Sequence, residues 1–367
     1  MKKLGYITNT GLDESSGGGS GVNFATYNNL KNNFTIKYIK INANSDFLSK
    51  IKSGFLKKLN LKRNYHFFSN QRLRMISNLF NGEQNNVDFY FFHGFTQWID
   101  IIPNKPYFCF NDACFATYVE IYNNKNEFCK KDLNRIYKKE ANWLNNAAKV
   151  FFRSEWALNE AKEKYNLLGE NFINVGVGGF IDIPKKDNYE EGFNFLFISR
   201  EFIPKGGETV VSAIKALRQE KYDVTLWIVG EKPNDDILST EGVEYLGFFN
   251  KNIKEERLAL IKIFEQAFAL VHPTLKDVNP LVVNELAYFG CPAIASNKFA
   301  IPEYLLNNKT GFLINNPRDF KEFKILMANM VNDPDMYLAM RKKTRQNAID
   351  NNTWDIVGSR IVQQMEV

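Results

Sequence analysis

Short apolar runs rich in β-branched and aromatic residues recur along this chain, separated by polar stretches with helical periodicity. In the first half the runs read as strands near 3–8, 35–41, 88–92, 107–110, 149–152 and 172–175. In the second half they fall near 193–199, 224–229, 244–246, 268–272 and 293–296. Alternation of such strands with helices predicts an α/β protein whose parallel sheets are covered by helices on both faces. At 367 residues the chain is longer than a single core usually grows, so two doubly wound, Rossmann-like domains are expected. The polar segment 182–192, with Pro184 and Gly192, breaks the periodicity and is the best linker. It sets domains at 1–183 and 184–350, followed by a terminal segment, 351–367. Ligands of open α/β sheets bind beyond the C-terminal strand ends, and two such domains facing each other make a cleft.

Composition narrows the classes. A hydrophobic fraction of 44% and a charged fraction of 24% are those of a soluble globular protein, and no apolar run is long enough to span a bilayer. The N-terminus lacks the apolar core and cleavage site of a secretory signal, so a cytoplasmic location is expected. Cys109, Cys114, Cys129 and Cys291 have no CxxC spacing and read as reduced packing residues; with three histidines there is little material for a metal site. The net charge of +6 is uneven, because residues 1–183 hold 24 Lys/Arg against 16 Asp/Glu and the rest hold 23 against 25. This asymmetry suggests an anionic partner for the first half.

Two constellations in the second half carry chemistry. After the strand near 193–199 comes Ser-Arg-Glu-Phe-Ile-Pro-Lys-Gly-Gly, which puts Arg200 and Lys205 on the loop before a helix. A guanidinium and an ammonium there can neutralise a departing diphosphate without a metal; two surface cations on a polar loop are the bland alternative. Residues 271–296 form a βαβ unit whose helix opens at Pro280, with Asp277 in the loop before it and Glu285 in its first two turns. The free amides at that helix start suit a phosphate, and the two carboxylates suit the hydroxyls of a ribose and a sugar. An exposed loop Asp and a helix-dipole Glu are the plain alternative.

With these motifs in their order, residues 193–314 resemble the family 4 glycosyltransferases, which have the GT-B fold, retain anomeric configuration and need no metal. The stretch from Ser199 to Gly206 resembles that family's diphosphate loop, which implies phosphate contacts for Arg200 and Lys205. Strand ends at Gly230 and Phe248 resemble the segments around the nucleobase. Asp277-x7-Glu285 resembles the paired-acid signature, in which the second acid holds the ribose and the first a sugar hydroxyl. Ile301-Pro-Glu-Tyr and Lys309-Thr-Gly-Phe-Leu-Ile match its downstream stretches. Here the first acid is Asp, one methylene shorter than the usual Glu. Pro280 replaces a glycine and removes one amide donor, while the amides of Asn279, Leu281 and Val282 remain.

The resemblance extends to the first half, which it implies binds the acceptor. Gly18 and Gly19, in a Gly-rich loop after the first strand, match a Gly-Gly loop that approaches the ligand; a ligand-free flexible loop is the alternative. His93, at the end of a buried strand, matches a histidine near the donor sugar, though a hydrogen-bonded core residue would look the same. Asp112, at the next strand end, is a weaker candidate for orienting the acceptor. The final helix is implied to cross back to the N-terminal domain. Residues 47–74 carry eight basic and no acidic side chains, with Phe47, Ile51, Phe55 and Leu59 four apart. That pattern suits either an anionic membrane surface or a helix docked on the core.

The expected function is transfer of a sugar from a UDP- or GDP-sugar to a glycan or glycolipid acceptor, without cofactor or metal, in the cytoplasm or on the inner face of the cell membrane. Alternatives are an epimerase or phosphorylase of similar build, and a catalytically silent partner that binds nucleotide-sugar or lipid for another transferase. Nucleic acid is not an expected partner, because the basic stretch lacks a reading motif.

Overall fold

A computed structural model describes residues 1–12, 19–83 and 86–365. Along the chain run β1 (Lys3–Thr8), α1 (Gly19–Lys31), β2 (Thr35–Lys40), α2 (Phe47–Lys58), α3 (Asn70–Glu83), β3 (Phe89–His93), β4 (Tyr107–Asn111), α4 (Phe115–Tyr122), α5 (Lys130–Asn145), β5 (Lys149–Phe152), α6 (Glu155–Tyr165) and β6 (Phe172–Asn174). Then follow β7 (Asn194–Ser199), α7 (Gly207–Gln219), β8 (Thr225–Gly230), α8 (Asp235–Leu238), β9 (Val243–Gly247), α9 (Lys254–Gln266), β10 (Ala269–His272), α10 (Leu281–Ala287), β11 (Ala293–Ser296), α11 (Ile301–Tyr304) and β12 (Gly311–Ile314). Last come α12 (Phe320–Asn332), α13 (Pro334–Asn351) and α14 (Trp354–Met365). The strands expected from sequence are present, with ends shifted by a residue or two. β12 is an addition.

The strands form two parallel sheets, ordered β2-β1-β3-β4-β5-β6 and β12-β11-β10-β7-β8-β9. Each order reverses once, between β1 and β3 in the first sheet and between β7 and β10 in the second. Both are therefore doubly wound α/β sheets, as the sequence pattern predicts. Strands such as β3 and β10 are buried along their whole length, as expected when helices cover both faces. Aromatic side chains dominate the first core, where Phe92 meets Trp98, Tyr107 and Trp143.

The chain divides into two units. One comprises the described residues up to Gly176 together with those from Val357, and the other runs from Val177 to Ile356. The break lies before the expected 183/184 boundary because the polar segment is fastened within the second unit. Asp187 accepts a bidentate pair from Arg341 on α13 at 2.8 and 2.6 Å, and Arg345 donates to the Pro184 carbonyl at 2.5 Å. Arg341 is 2% exposed and also donates to the carbonyls of Ala267 and Phe289. The later part of α14 belongs to the first unit: Gly358 lies against Asn29 of α1, and Arg360 donates to the Val175 carbonyl at 3.2 Å.

Helix ends follow their capping residues. Ser154 and Asp333 accept amide protons at the starts of α6 and α13, and Asn166 takes the left-handed conformation that ends α6. Asp46 caps α2, accepting from the Ser49 amide and from the hydroxyls of Ser49 and Ser69. Those hydroxyls hold its carboxyl below the usual carboxylate range. The apolar stripe of α2 is not docked on the core: Phe47, Ile51, Phe55 and Leu59 are 69, 53, 62 and 52% exposed, and Ser53 is its buried residue.

Candidate functional site

The reversal between β7 and β10 places the loops after those strands side by side, which is where open α/β sheets collect ligands. Lys205, from the loop after β7, donates to Asp277 Oδ2 at 2.7 Å and to the Lys276 carbonyl at 2.9 Å, both in the loop after β10. The fold thus joins two predicted residues 72 positions apart. Behind them lies His272, 2% exposed, with neither ring nitrogen hydrogen-bonded and Nε2 3.8 Å from Asp277 Oδ2. Burial opposes ionisation of Asp277, but His272 and the Lys205 ammonium outweigh it and hold the carboxyl below its ordinary range.

Arg200 occupies a neighbouring position. Its guanidinium lies 5.7 Å from the centre of the Phe248 ring, and the two line a cavity of about 530 Å³ with Gly230, Glu231 and Asn250. Arg200, Gly230 and Phe248, predicted separately, therefore share one concavity. Gly230 is required by the backbone: its φ is +114°, and a Cβ there would stand 1.9 Å from the Ser199 carbonyl oxygen.

Glu285 is the most firmly built of the predicted residues. It lies on α10, 3% exposed, and accepts from the Phe180 amide at 2.9 Å through Oε1 and from Lys251 Nζ at 2.6 Å through Oε2. The approach of the 177–180 segment needs glycine, because a Cβ on Gly179 would lie 2.7 Å from Glu285 Cγ. Tyr288 fastens the same stretch, accepting from the Gly179 amide at 2.8 Å and donating to the Asn352 carbonyl at 2.5 Å. Pro280 precedes α10, and the amides of Leu281 and Val282 stand in its first turn, where no carbonyl of the same helix can accept from them. Asn279 accepts from the Tyr304 hydroxyl, and its own amide nitrogen is buried without a hydrogen-bond partner.

In the first unit, His93 ends β3 at 7% exposure. Its carbonyl accepts from Trp98 Nε1 at 3.0 Å and Gln97 Nε2 at 3.2 Å, while its own Nε2 has no hydrogen-bond partner. Burial, with the Arg153 cation adding to it, pushes the imidazole down to about 3, so it is neutral near pH 7. A neutral ring can accept from or donate to a sugar hydroxyl. Asp112 follows β4 and lies 3.6 Å from the buried Arg153, whose guanidinium sits over Phe110. Gly19 opens α1; Gly18 lies outside the described residues.

Sequence reasoning missed Lys251, Arg153 and Glu140. Lys251 sits in a polar run, Asn-Lys-Asn-Ile-Lys, that carries no motif. Arg153 follows a strand directly, the same signal that singled out His93. Glu140 is hidden in a charge-rich helical stretch yet is fully buried, accepting from Thr96 Oγ1 at 2.6 Å, the Phe115 amide at 2.7 Å and the Tyr165 hydroxyl. Among the described residues no group of three His, Cys, Asp or Glu side chains could hold a metal ion, and no helix is long and apolar enough to cross a membrane.

Comparison with known proteins places this geometry. Residues 180–348 match the family profile described as glycosyl transferases group 1. A GDP-mannose-dependent alpha-(1-6)-phosphatidylinositol monomannoside mannosyltransferase from Mycolicibacterium smegmatis is 29% identical over 175 residues, 45% of this chain and 46% of that protein. The chain thus spans about half the length of the curated relatives it matches. The whole chain matches the fold of sucrose-phosphate synthase from Thermosynechococcus elongatus, with a TM-score of 0.72 at 13% identity, covering 100% of this chain and 98% of the other. It also matches Anabaena Alr3699/HepE in complex with UDP-glucose, with a TM-score of 0.65 at 14% identity over 100% and 99% of the two chains. The fold is the GT-B fold, and residues 180–348, which hold Arg200, Lys205, Asp277 and Glu285, are the part of the chain that matches the glycosyl transferases group 1 profile.

Proposed function

We propose that this chain transfers a glycosyl group from a nucleotide diphosphate sugar to a glycan acceptor, with retention of configuration and without a metal. The observation that carries the proposal is Glu285, a buried carboxylate held by Phe180 and Lys251 inside the segment that matches the group 1 family. A fixed acceptor of this kind suits ribose hydroxyls. Arg200 and Lys205 would take the diphosphate. As the bond between the anomeric carbon and the diphosphate oxygen breaks, the acceptor oxygen bonds to that carbon on the same face. Its proton passes to the leaving diphosphate, whose charge the two cations neutralise. Asp277 would accept from a sugar hydroxyl once Lys205 turns to the phosphates.

A lipid-linked acceptor is the second part of the proposal, and α2 supports it. Its exposed apolar stripe is flanked by Lys50, Lys52, Lys57 and Lys58, a pattern that partitions into an anionic bilayer surface. The mannosyltransferase relative is named for a phosphatidylinositol-linked acceptor. The proposal includes a location on the inner face of the cell membrane, which the exposed stripe of α2 supports. The test is transfer of radiolabel from UDP- or GDP-sugars into a glycolipid fraction. Arg200→Ala should lower turnover by about 10²-fold or more, as loss of one transition-state charge partner does; wild-type turnover would remove Arg200 from the diphosphate site.

A further inference from the structure

His272 closes β10 at 2% exposure, and neither of its ring nitrogens has a hydrogen-bond partner. Its three neighbours on the strand, Ala269, Leu270 and Val271, are apolar and buried. An imidazole brings polar nitrogens into that setting, and leaving them unmet costs more than a fourth apolar side chain would. The unmet ring therefore points to a partner that arrives in another state of the site.

The partner within reach is Asp277. Its Oδ2 lies 3.8 Å from His272 Nε2, roughly 1 Å too far for a hydrogen bond, and the same oxygen is held by Lys205 Nζ at 2.7 Å. The backbone between the two residues is fastened. The Thr274 amide donates to the His272 carbonyl at 2.9 Å, Ser296 Oγ to the Thr274 carbonyl at 2.8 Å, and the Lys276 amide to Thr274 Oγ1 at 3.3 Å. Asp277 can thus change partner by rotating its side chain while the loop stays in place. Lys205 donates to Asp277 and to the Lys276 carbonyl, both in that loop, so a ligand that recruits the ammonium breaks both bonds at once. A diphosphate carries more negative charge than one carboxylate and competes well for it.

We infer that His272 is a positioning residue that takes over Asp277 when the donor diphosphate recruits Lys205, its Nε2–H donating to Oδ2. The other carboxylate oxygen then remains to accept from a sugar hydroxyl. The exchange gives the site an order, because Asp277 is engaged by the ammonium until phosphate arrives and is held by the imidazole afterwards. The inference rests on the transferase reading for the diphosphate; the exchange of partners within the protein does not.

The chain has three histidines, so proton–nitrogen correlation NMR of the imidazole rings gives few signals, and those of His272 are identified by their loss in His272→Gln. Without nucleotide, Lys205→Met should move the His272 ring signals, because Asp277 then turns to the imidazole. The shift should vanish when Asp277→Ala is added. Saturating UDP or GDP should move the wild-type signals in the same sense. Calorimetry supplies a readout that a merely structural role would not move. His272→Leu, which removes the unmet nitrogens, should keep the melting temperature yet weaken nucleotide binding about tenfold, as loss of one hydrogen bond to a charged group does. His272→Gln, which keeps an N–H, should recover part of that binding, and in an Asp277→Asn background His272→Leu should have little effect. Unmoved His272 signals in Lys205→Met, unmoved signals in wild type saturated with nucleotide, or an equal loss from His272→Leu with and without Asp277→Asn would each overturn the inference. Signals that move in Lys205→Met while neither nucleotide binds would sink the donor reading and leave the exchange of partners standing.

Discussion

Lys251→Met isolates the interaction on which the second unit's carboxylate depends. In the folded chain Lys251 Nζ stands 2.6 Å from Glu285 Oε2, with the two side chains 18 and 4% exposed. Removing the ammonium leaves a buried carboxylate that still accepts from the Phe180 amide. Breaking a buried pair from one side costs about 3–5 kcal/mol, and the partial exposure of Lys251 puts this case near the lower end, at about 3 kcal/mol. A unit of this size loses about 2–4 °C per kcal/mol, so the second transition in calorimetry should fall by about 6–12 °C. Glu285→Gln in the same background should recover part of the loss, because no uncompensated charge then remains. The double-mutant cycle reads the coupling directly. Additive single effects, with a coupling below about 0.5 kcal/mol, would refute the claim that Lys251 holds Glu285.

Other outcomes follow from the same structure. Arg341→Met should destabilise the second unit by about 3–5 kcal/mol, because it strands Asp187; thermal unfolding of Arg341→Met against Asp187→Asn checks this. His93 is neutral in the fold and its imidazole is pushed down to about 3, so the unfolded chain binds the extra proton below the ordinary histidine range near 6.5. Stability should therefore fall as pH drops from about 6.5 toward 3, by about 1.4 kcal/mol per unit, and His93→Gln should flatten that slope in urea titrations. Gly179→Ala should push Glu285 off its position, since a Cβ there would lie 2.7 Å from Glu285 Cγ, and weaken nucleoside diphosphate binding about tenfold in calorimetric titration. Phe47→Ser with Phe55→Ser should reduce sedimentation with anionic vesicles about tenfold or more without changing the melting temperature, since both residues already face solvent.

Much of the architecture was legible because parallel strands are buried on both faces and so stand out as apolar runs bounded by polar sequence. β12 escaped because its four residues, Gly311 to Ile314, are short and preceded by Asn-Asn-Lys-Thr. Arg200, Lys205, Asp277 and Glu285 were readable because their loops carry a spaced pattern. Long-range partners were not: Lys251 is 34 residues from Glu285, and in the linker Asp187 is 154 from Arg341, distances over which a single sequence encodes no pairing. The same reason hid the true boundary, since a polar segment that looks like a linker is fastened by residues far along the chain. Periodicity gave α2 its amphipathic stripe, but which way that stripe faces depends on its neighbours. Asp46 anchors the helix start through Ser49 and Ser69, and the apolar stripe is left exposed.

The central claim is a nucleotide site in the second unit, and calorimetric titration of UDP and GDP into wild type, Arg200→Ala and Glu285→Gln tests it most directly. The account predicts that one of the two nucleotides binds the wild-type chain and that each substitution weakens it at least about tenfold, as expected for loss of a charge-assisted contact. Binding of neither nucleotide, or equal affinity in all three proteins, would contradict it.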